Sequence, residues 1–381
     1  MKHDWEYKKL GEVAEIIGGS TPKTNIKEYW DGDYFWITPA ELKGDRFIKS
    51  TSRTITDLAV ENTNLSLLPK GTVLLSSRAP IGKVAIADVP MYCNQGFKNI
   101  ICGEKLNNNY VYWLLYGKTE YLNSLGVGAT FKEISKKIVE NIPIPLPPLS
   151  TQQSIVSELD SLSKIIADCK ETLKDYDALE QSIFYDMFGD PVKNDKGWEV
   201  KKLGEIGFCC SGGTPSRSNP EYFNGDIMWY SAGELNEMYL GDSVEKITET
   251  ALNNCSAKIC KAGSLFVGMY DTAAFKLGIA KVDSCSNQAC ANIQLYEDNI
   301  IWLYFTLLMM KEEALKNRHG ARQKNLNLGY IKNFDIPLPP LPLQQDFATK
   351  IEAIEQMKAE TRDALQEAET LFQARMDYWF N

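Results

Sequence analysis

Asp33, Glu41 and Lys43 stand at the spacing D-x7-E-x-K. Two carboxylates and a lysine so placed suggest a metal-dependent nuclease. The chain supplies its own control, because the same stretch recurs 193 residues later as Asp226, Glu234 and Asn236. Only the carboxylates repeat, which points to local structural hydrogen bonds. Cys255/Cys260 and Cys285/Cys290 could hold zinc, yet the earlier stretch offers only Cys93 and Cys102, at neither spacing. Buried free thiols are the expectation. With only His3 and His319, histidine catalysis has little to work with. "GGSTPKT" lacks the spacing of a phosphate-cradling loop, and no Asn-Pro-Pro-aromatic run for adenine methylation or G-x-G-x-x-G loop is present.

The recurrence is extensive. "WEYKKLGEVAEIIGGSTPKTNIKEYWDGDYFWITPAEL" aligns without a gap on "WEVKKLGEIGFCCSGGTPSRSNPEYFNGDIMWYSAGEL", with 17 of 38 pairs identical. Asn94-Gln95 matches Asn287-Gln288, Gly128-Ala129 matches Gly320-Ala321, and "IPLPPLSTQQ" from Ile144 matches "IPLPPLPLQQ" from Ile336. So long a period marks two copies of a whole domain, each with a trailing helix. A length of 381 residues independently suggests two or three domains.

Each globular copy reads as mixed α and β, with short runs such as "GTVLLSS" and "KVAIAD" between Gly, Pro and Asn punctuation. Helices are expected over roughly 109–124 and 132–140. The proline phrase must be extended and cannot be a helix interior or a central strand. After it, Ser150 and Gln153 form an S-x-x-Q capping box, and Gly189, Asp190 and Pro191 stop the helix. Ile155, Leu159, Leu162, Ile166, Cys169, Leu173, Tyr176, Ile183 and Met187 follow coiled-coil spacing, with Glu180 the single break. The resulting helix is about 55 Å long at 1.5 Å per residue. The second helix starts with Phe347, Ile351 and Ile354, puts Lys358 or Thr361 where the seam should continue, and resumes at Leu365 and Phe372. Antiparallel pairing of the two is the simplest arrangement. The expected fold is α+β: two similar mixed α/β domains (1–150 and 191–343) separated by two long antiparallel coiled-coil helices (151–190 and 344–381), with pseudo-two-fold symmetry.

The net charge of −9 hides a division. Residues 1–150 carry +2 and 191–343 carry −1, whereas the helical segments 151–190 and 344–381 carry −6 and −4. Nucleic-acid affinity depends on local basic patches, so the acidic total excludes nothing. Nine cysteines without framework spacing fit a reduced, cytoplasmic protein. The N-terminal "MKHDWEYKKLGEV" has no apolar core of a signal peptide, and the longest apolar run, Ile300–Met310, is far short of a membrane span.

This order of domain, helix, domain, helix, with its paired "GGSTP"/"SGGTP" loops, "NQ" pairs and "IPLPPL" junctions, resembles the specificity subunit of Type I restriction–modification enzymes. The resemblance covers essentially the whole chain. It implies a non-catalytic subunit with two target-recognition domains that reads a bipartite site in double-stranded DNA, the helix length setting the gap. It also implies methyltransferase subunits, two of them, docked on the helices, and restriction/translocase subunits that join for cleavage. S-adenosylmethionine, ATP and Mg would then belong to those partner subunits and not to this chain. The rival readings are a self-sufficient nuclease or methyltransferase, which needs a catalytic motif, and a coiled-coil scaffold, which needs no salt-dependent duplex binding.

Within that frame, residues identical in both copies are scaffold, because two half-sites usually differ, and residues that differ in matched loops are candidates for reading bases. Three loops qualify. After the Thr-Pro pair, Lys23 and Thr24 face Ser216 and Arg217. In the middle, "SSRAPIGK" with Arg78 and Lys83 faces "GMYDTAAFK" with Tyr270 and Lys276. Before the proline phrase, "GATFKE" with Thr130 and Lys132 faces "GARQKN" with Arg322, Gln323 and Lys324. Arg and Lys suit guanine edges or phosphates, Gln suits adenine, and Thr or Tyr serves either. An ordinary solvated loop charge is the competing reading for each. The recurring tryptophans are expected in the core before any base-stacking role.

Overall fold

The computed structural model describes residues 5–78, 80–128, 132–316 and 326–380. The chain forms two compact units. One is Met1–Lys170 with Asp363–Asn381, and the other is Glu171–Arg362. Each unit therefore holds one globular copy plus a part of both long helices, a division that cuts across the helical segments read from sequence.

The first copy is built on a five-stranded sheet in the order Ala14–Gly18, Lys98–Cys102, Val73–Leu75, Val84–Ala87, Phe47–Ile48. A three-stranded sheet of Arg53–Ile55, Trp30–Ile37 and Tyr92–Cys93 accompanies it. The second copy repeats both. Its five strands run Gly207–Ser211, Cys290–Leu295, Leu265–Gly268, Leu277–Ala280, Tyr239–Leu240, and its three are Glu245–Ile247, Ile227–Tyr230, Ser284–Ser286. In each of these four sheets one edge pairing is parallel and the rest antiparallel. The apolar run at Ile300 becomes a buried helix, Ile300–Met309, matching Asn108–Tyr116 in the first copy. The longer helix expected over 109–124 is broken after Tyr116, and the one expected from 132 begins only at Lys136.

The proline phrase is extended, and it lies where its missing N–H groups do no harm. Pro143–Pro145 pairs only with Tyr7–Lys9, and Asp335–Leu338 only with Glu199–Lys202, as two-stranded ribbons. Both long helices start directly after it, at Leu149 and Leu341, and run forty residues each to Phe188 and Phe380. The Ser150/Gln153 capping box does not form: Gln153 bonds Asn107 instead. Its neighbour Gln152, fully buried, closes the start of the helix. Its amide nitrogen donates to the carbonyls of Pro147 (2.9 Å) and Lys105 (3.0 Å), and its oxygen accepts from Asn107 N (2.8 Å). Gln344 repeats the clasp with Pro339, Asp298 and Asn299 N. Gly189, at φ +75°, ends the first helix in the left-handed conformation that glycine tolerates.

All the seam residues read from sequence are buried or half-buried. Ile155 and Leu159 share the first copy's core with Met376 and Phe380, and Phe347, Ile351 and Ile354 share the second copy's core with Phe184 and Phe188. In the first unit Glu158 accepts from Arg375 (3.0 Å) and Trp379 (2.9 Å), and Lys170 pairs with Glu369 (2.7 Å). In the second, Phe184 meets Phe347, and Glu180 meets Lys358 at 3.0 Å. Within both units residue numbers rise along one helix as they fall along the other, so the pairing is antiparallel. The two breaks in the apolar pattern are partners. The Lys358 side chain is 7% exposed among Glu180, Asp177 (2.8 Å) and Glu355 (2.5 Å). Among the described residues no helix is long and apolar enough to cross a membrane.

Removing one member of this buried cluster strands the other charges. Lys358→Met alone should destabilise the second unit by about 3–5 kcal/mol, and Lys358→Met with Glu180→Leu should recover most of that loss. Urea unfolding of both variants beside the parent checks this.

Candidate nucleic-acid interface

The first candidate loop, after the Thr-Pro pair, is held by residues common to both copies. Trp36 donates its indole N–H to Ser20 O (3.1 Å), as Trp229 does to Gly213 O (2.9 Å). The Thr21 hydroxyl donates to Gln95 Oε1, and Thr214 to Gln288 Oε1. The glycine before each loop lies against backbone: a Cβ at Gly19 would overlap the carbonyl oxygens of Cys93 and Asn94, and one at Gly212 those of Ser286 and Asn287.

The middle loop is a hairpin closed at its base, Ser76 N to Lys83 O (2.9 Å) in one copy and Gly268 N to Lys276 O (2.8 Å) in the other. Gly82 and Phe275 occupy the same place in it, both at positive φ (+90° and +60°), and Phe275 is anchored by full burial. One residue of this hairpin is bonded on both sides to segments outside it. Ser77 N donates to Gly96 O (2.7 Å), beside the Asn94-Gln95 pair, while Ser77 O accepts from Ile134 N (3.0 Å), at the end of the third loop. Met269 does the same in the second copy, to Ala289 O (2.8 Å) and from Leu326 N (2.8 Å). Backbone atoms make these links, so they persist while the side chains change. These links set the middle loop, the Asn-Gln pair that holds the first loop, and Ile134 or Leu326 on one surface of each copy, and the next residue on it is Arg78 in one copy and Tyr270 in the other.

The expected reading residues fall into three groups. Lys23, Lys132 and Tyr270 are exposed. Arg78 is 48% exposed with its Nε on Glu133 (2.9 Å), and Arg217 forms a two-point pair with Glu245 (2.5 and 2.7 Å) above the ring of Phe223. Lys83 and Lys276 are half-buried, their amines on Leu42 O (2.9 Å) and on Gly233 O (3.2 Å) with Asn236 Oδ1 (2.6 Å). Both lysines thus brace the turn after the Trp-bearing strand. Thr130, Arg322, Gln323 and Lys324 lie outside the described residues.

Three residues missed by the sequence reading belong to this surface. Arg53 lies 3.5 Å above the Trp30 ring and 5.5 Å from Trp36, just as Arg217 covers Phe223 and Trp229. Trp30/Phe223 and Trp36/Trp229 are matched positions, so each copy puts an arginine on the same aromatic pair from a different point in the chain. No alignment of the copies finds such a replacement; the pairing of Trp36 with Arg53 across two strands creates it. Glu133 and Lys98 are the other two. Lys98 donates to Ser77 Oγ (3.3 Å) and Glu133 Oε1 (3.2 Å). Burial works to raise the Glu133 carboxyl, but the hydrogen bonds from Arg78 and Lys98 outweigh it and hold the group below the usual glutamate value.

The two glutamates of the nuclease-like pattern are engaged elsewhere. Glu41 accepts from Thr38 N (3.0 Å) and Ser52 N (2.7 Å), and Glu234 from Ser231 N (2.7 Å) and Val244 N (2.7 Å), each tying a turn to a neighbouring loop. Burial pushes the Cys285 and Cys290 thiols up to about 12, which suits protonated core thiols. Among the described residues no group of three or more His, Cys, Asp or Glu is placed to hold a metal.

Comparison with known proteins adds the following. Residues 2–175 and again 195–369 match the family described as Type I restriction modification DNA specificity domain. The chain is 32% identical to the Type I restriction enzyme MjaIX specificity subunit of Methanocaldococcus jannaschii, over 92% of this chain and 87% of that one. It is 23% identical to the MjaVIII specificity subunit of the same organism, over 94% and 87%. In fold it resembles the crystal structure of the S subunit of a Type I restriction-modification system from M. genitalium, with a TM-score of 0.64, 14% identity, and 99% and 96% of the two chains covered.

Scaffold and surface should separate under mutation. Gly19→Ala and Gly212→Ala, which force backbone apart, should each cost roughly 2 kcal/mol or more. Lys23→Ala and Tyr270→Ala should change stability by less than about 0.5 kcal/mol. Thermal unfolding of the four variants decides.

Proposed function

The chain belongs to the Type I restriction–modification specificity family, and from that premise we propose that it is the DNA-reading subunit of such a system. It binds a bipartite target in double-stranded DNA, each globular copy reading one half-site through its three matched loops. The gap between the half-sites follows from the two long helices. The chain itself is non-catalytic: it directs methyltransferase subunits, which carry S-adenosylmethionine, and restriction/translocase subunits, which use ATP and Mg.

The observation that most supports this reading is the doubled surface. The same backbone links are made at Ser77, to Gly96 and Ile134, and at Met269, to Ala289 and Leu326, yet the next residue is Arg78 in one copy and Tyr270 in the other. A scaffold protein has no reason to hold framework constant while varying these side chains. Two readers of different sequences do. The charge division agrees, since the segments 151–190 and 344–381, at −6 and −4, repel phosphate and suit protein partners.

The modular reading is tested by exchange. Residues 191–343 are replaced with the corresponding domain of a relative, the hybrid is co-expressed with a Type I methyltransferase subunit, and methylated adenines are mapped across the host DNA. One half of the recognised motif should change and the other stay intact; a change in both halves contradicts the proposal.

A further inference from the structure

We infer that Arg78 reads a guanine in the half-site of the first copy, and that Glu133 is the positioning residue that fixes its fork for that purpose. This inference rests on the proposed duplex-reading function and adds to it a base identity and a residue.

The backbone around Arg78 is pinned on both sides. Ser77 is bonded to Gly96 and Ile134, and Arg78 itself lies in a β-bridge with Glu133. Glu133 sits at the closed base of the third loop, where its N–H and carbonyl exchange bonds with Val127 (3.1 and 3.0 Å). Its carboxylate is fixed in turn. Oε1 accepts from Lys98, whose side chain is only 13% exposed, and Oε2 accepts from Arg78 Nε at 2.9 Å.

That last bond decides the chemistry. A guanidinium is planar and rigid, so a carboxylate on Nε sets the plane of the whole fork and leaves the two Nη groups as a parallel pair of donors. Such a pair matches the O6 and N7 acceptors of guanine in the major groove. Phosphate is the other partner open to an exposed arginine, and here the carboxylate argues against it. Glu133 cancels the charge that would attract a phosphate, whereas a neutral base edge needs geometry more than charge. Arg217 differs, because Glu245 engages both of its Nη groups. Tyr270, at the Arg78 position of the second copy, presents no fork.

The test uses the whole chain co-expressed with a Type I methyltransferase subunit, with methylated adenines mapped across the host DNA and the exchange hybrid showing which half belongs to the first copy. The parent motif should carry an invariant guanine in that half. Arg78→Ala and Arg78→Lys should each lower selectivity at that one position by roughly ten- to a hundredfold and leave the other half unchanged. Glu133→Gln should relax the same position while duplex affinity in moderate salt stays equal or rises, since a negative charge is lost. A purely structural glutamate would instead lower affinity for every sequence. The inference is overturned if that half contains no invariant guanine, or if Arg78→Ala and Arg78→Lys leave every position intact. A parent complex that yields no bipartite motif overturns the function it rests on, a separate and recognisable result.

Discussion

A buried primary amide has to satisfy two donors and an acceptor, and on that requirement the joint between domain and helix depends. Gln152 and Gln344 are both fully buried, and each amide binds a proline carbonyl of the junction, a second acceptor and the backbone N–H of an asparagine. That asparagine, Asn107 or Asn299, in turn caps the apolar helix of the domain core. Proline keeps the approach extended, and the glutamine then ties the first turn of the long helix to the domain it leaves. The phrase "IPLPPL..QQ" recurs because the same joint is made twice.

From that joint outward, the two copies share a framework and diverge in what they display. Carbonyls, amide N–H groups and close-packed glycines hold the first two loops and tie the second to Ile134 or Leu326, so substitutions at the displayed positions leave those links intact. Carboxylates then discipline the exposed arginines: Glu133 holds Arg78 by one edge, while Glu245 engages Arg217 at two points. The helices follow another logic. Their apolar seam is interrupted once, by Lys358 among three carboxylates, and a buried polar contact of this kind favours one register over its neighbours.

The repeat, the extended junctions and the antiparallel seam were legible because period and proline chemistry leave marks in the sequence. The two breaks in the seam, Glu180 and Lys358, were visible singly; that they are partners is a fact of packing. Gln152 was within reach, since it repeats as Gln344, but capping rules drew attention to Ser150 and Gln153. Past Glu180 the spacing favoured Ile183 and Met187, whereas Phe184 and Phe188 are the fully buried pair, because both rings meet Phe347 of the second long helix, which itself packs on Phe305 of the domain core. Comparing the copies singled out Arg78 and Tyr270, which follow the matched backbone links at Ser77 and Met269. It singled out Lys83 and Lys276 for their charge, although the two are identical at matched positions, and in the structure both amines brace a turn. Arg53 escaped because its partner ring is reached across a strand pair.

The central claim is that each copy reads its own half of one DNA site through its matched loops. Photo-crosslinking tests it most directly: a photoreactive phenylalanine analogue is placed singly at Lys23, Tyr270 or Lys174, and the assembled methyltransferase complex is irradiated on a duplex carrying its target. The account predicts crosslinks from position 23 to one half-site, from position 270 to the other, and none from position 174 on the long helix. Crosslinks from 23 and 270 to the same half, or from 174 in place of the loops, would contradict it.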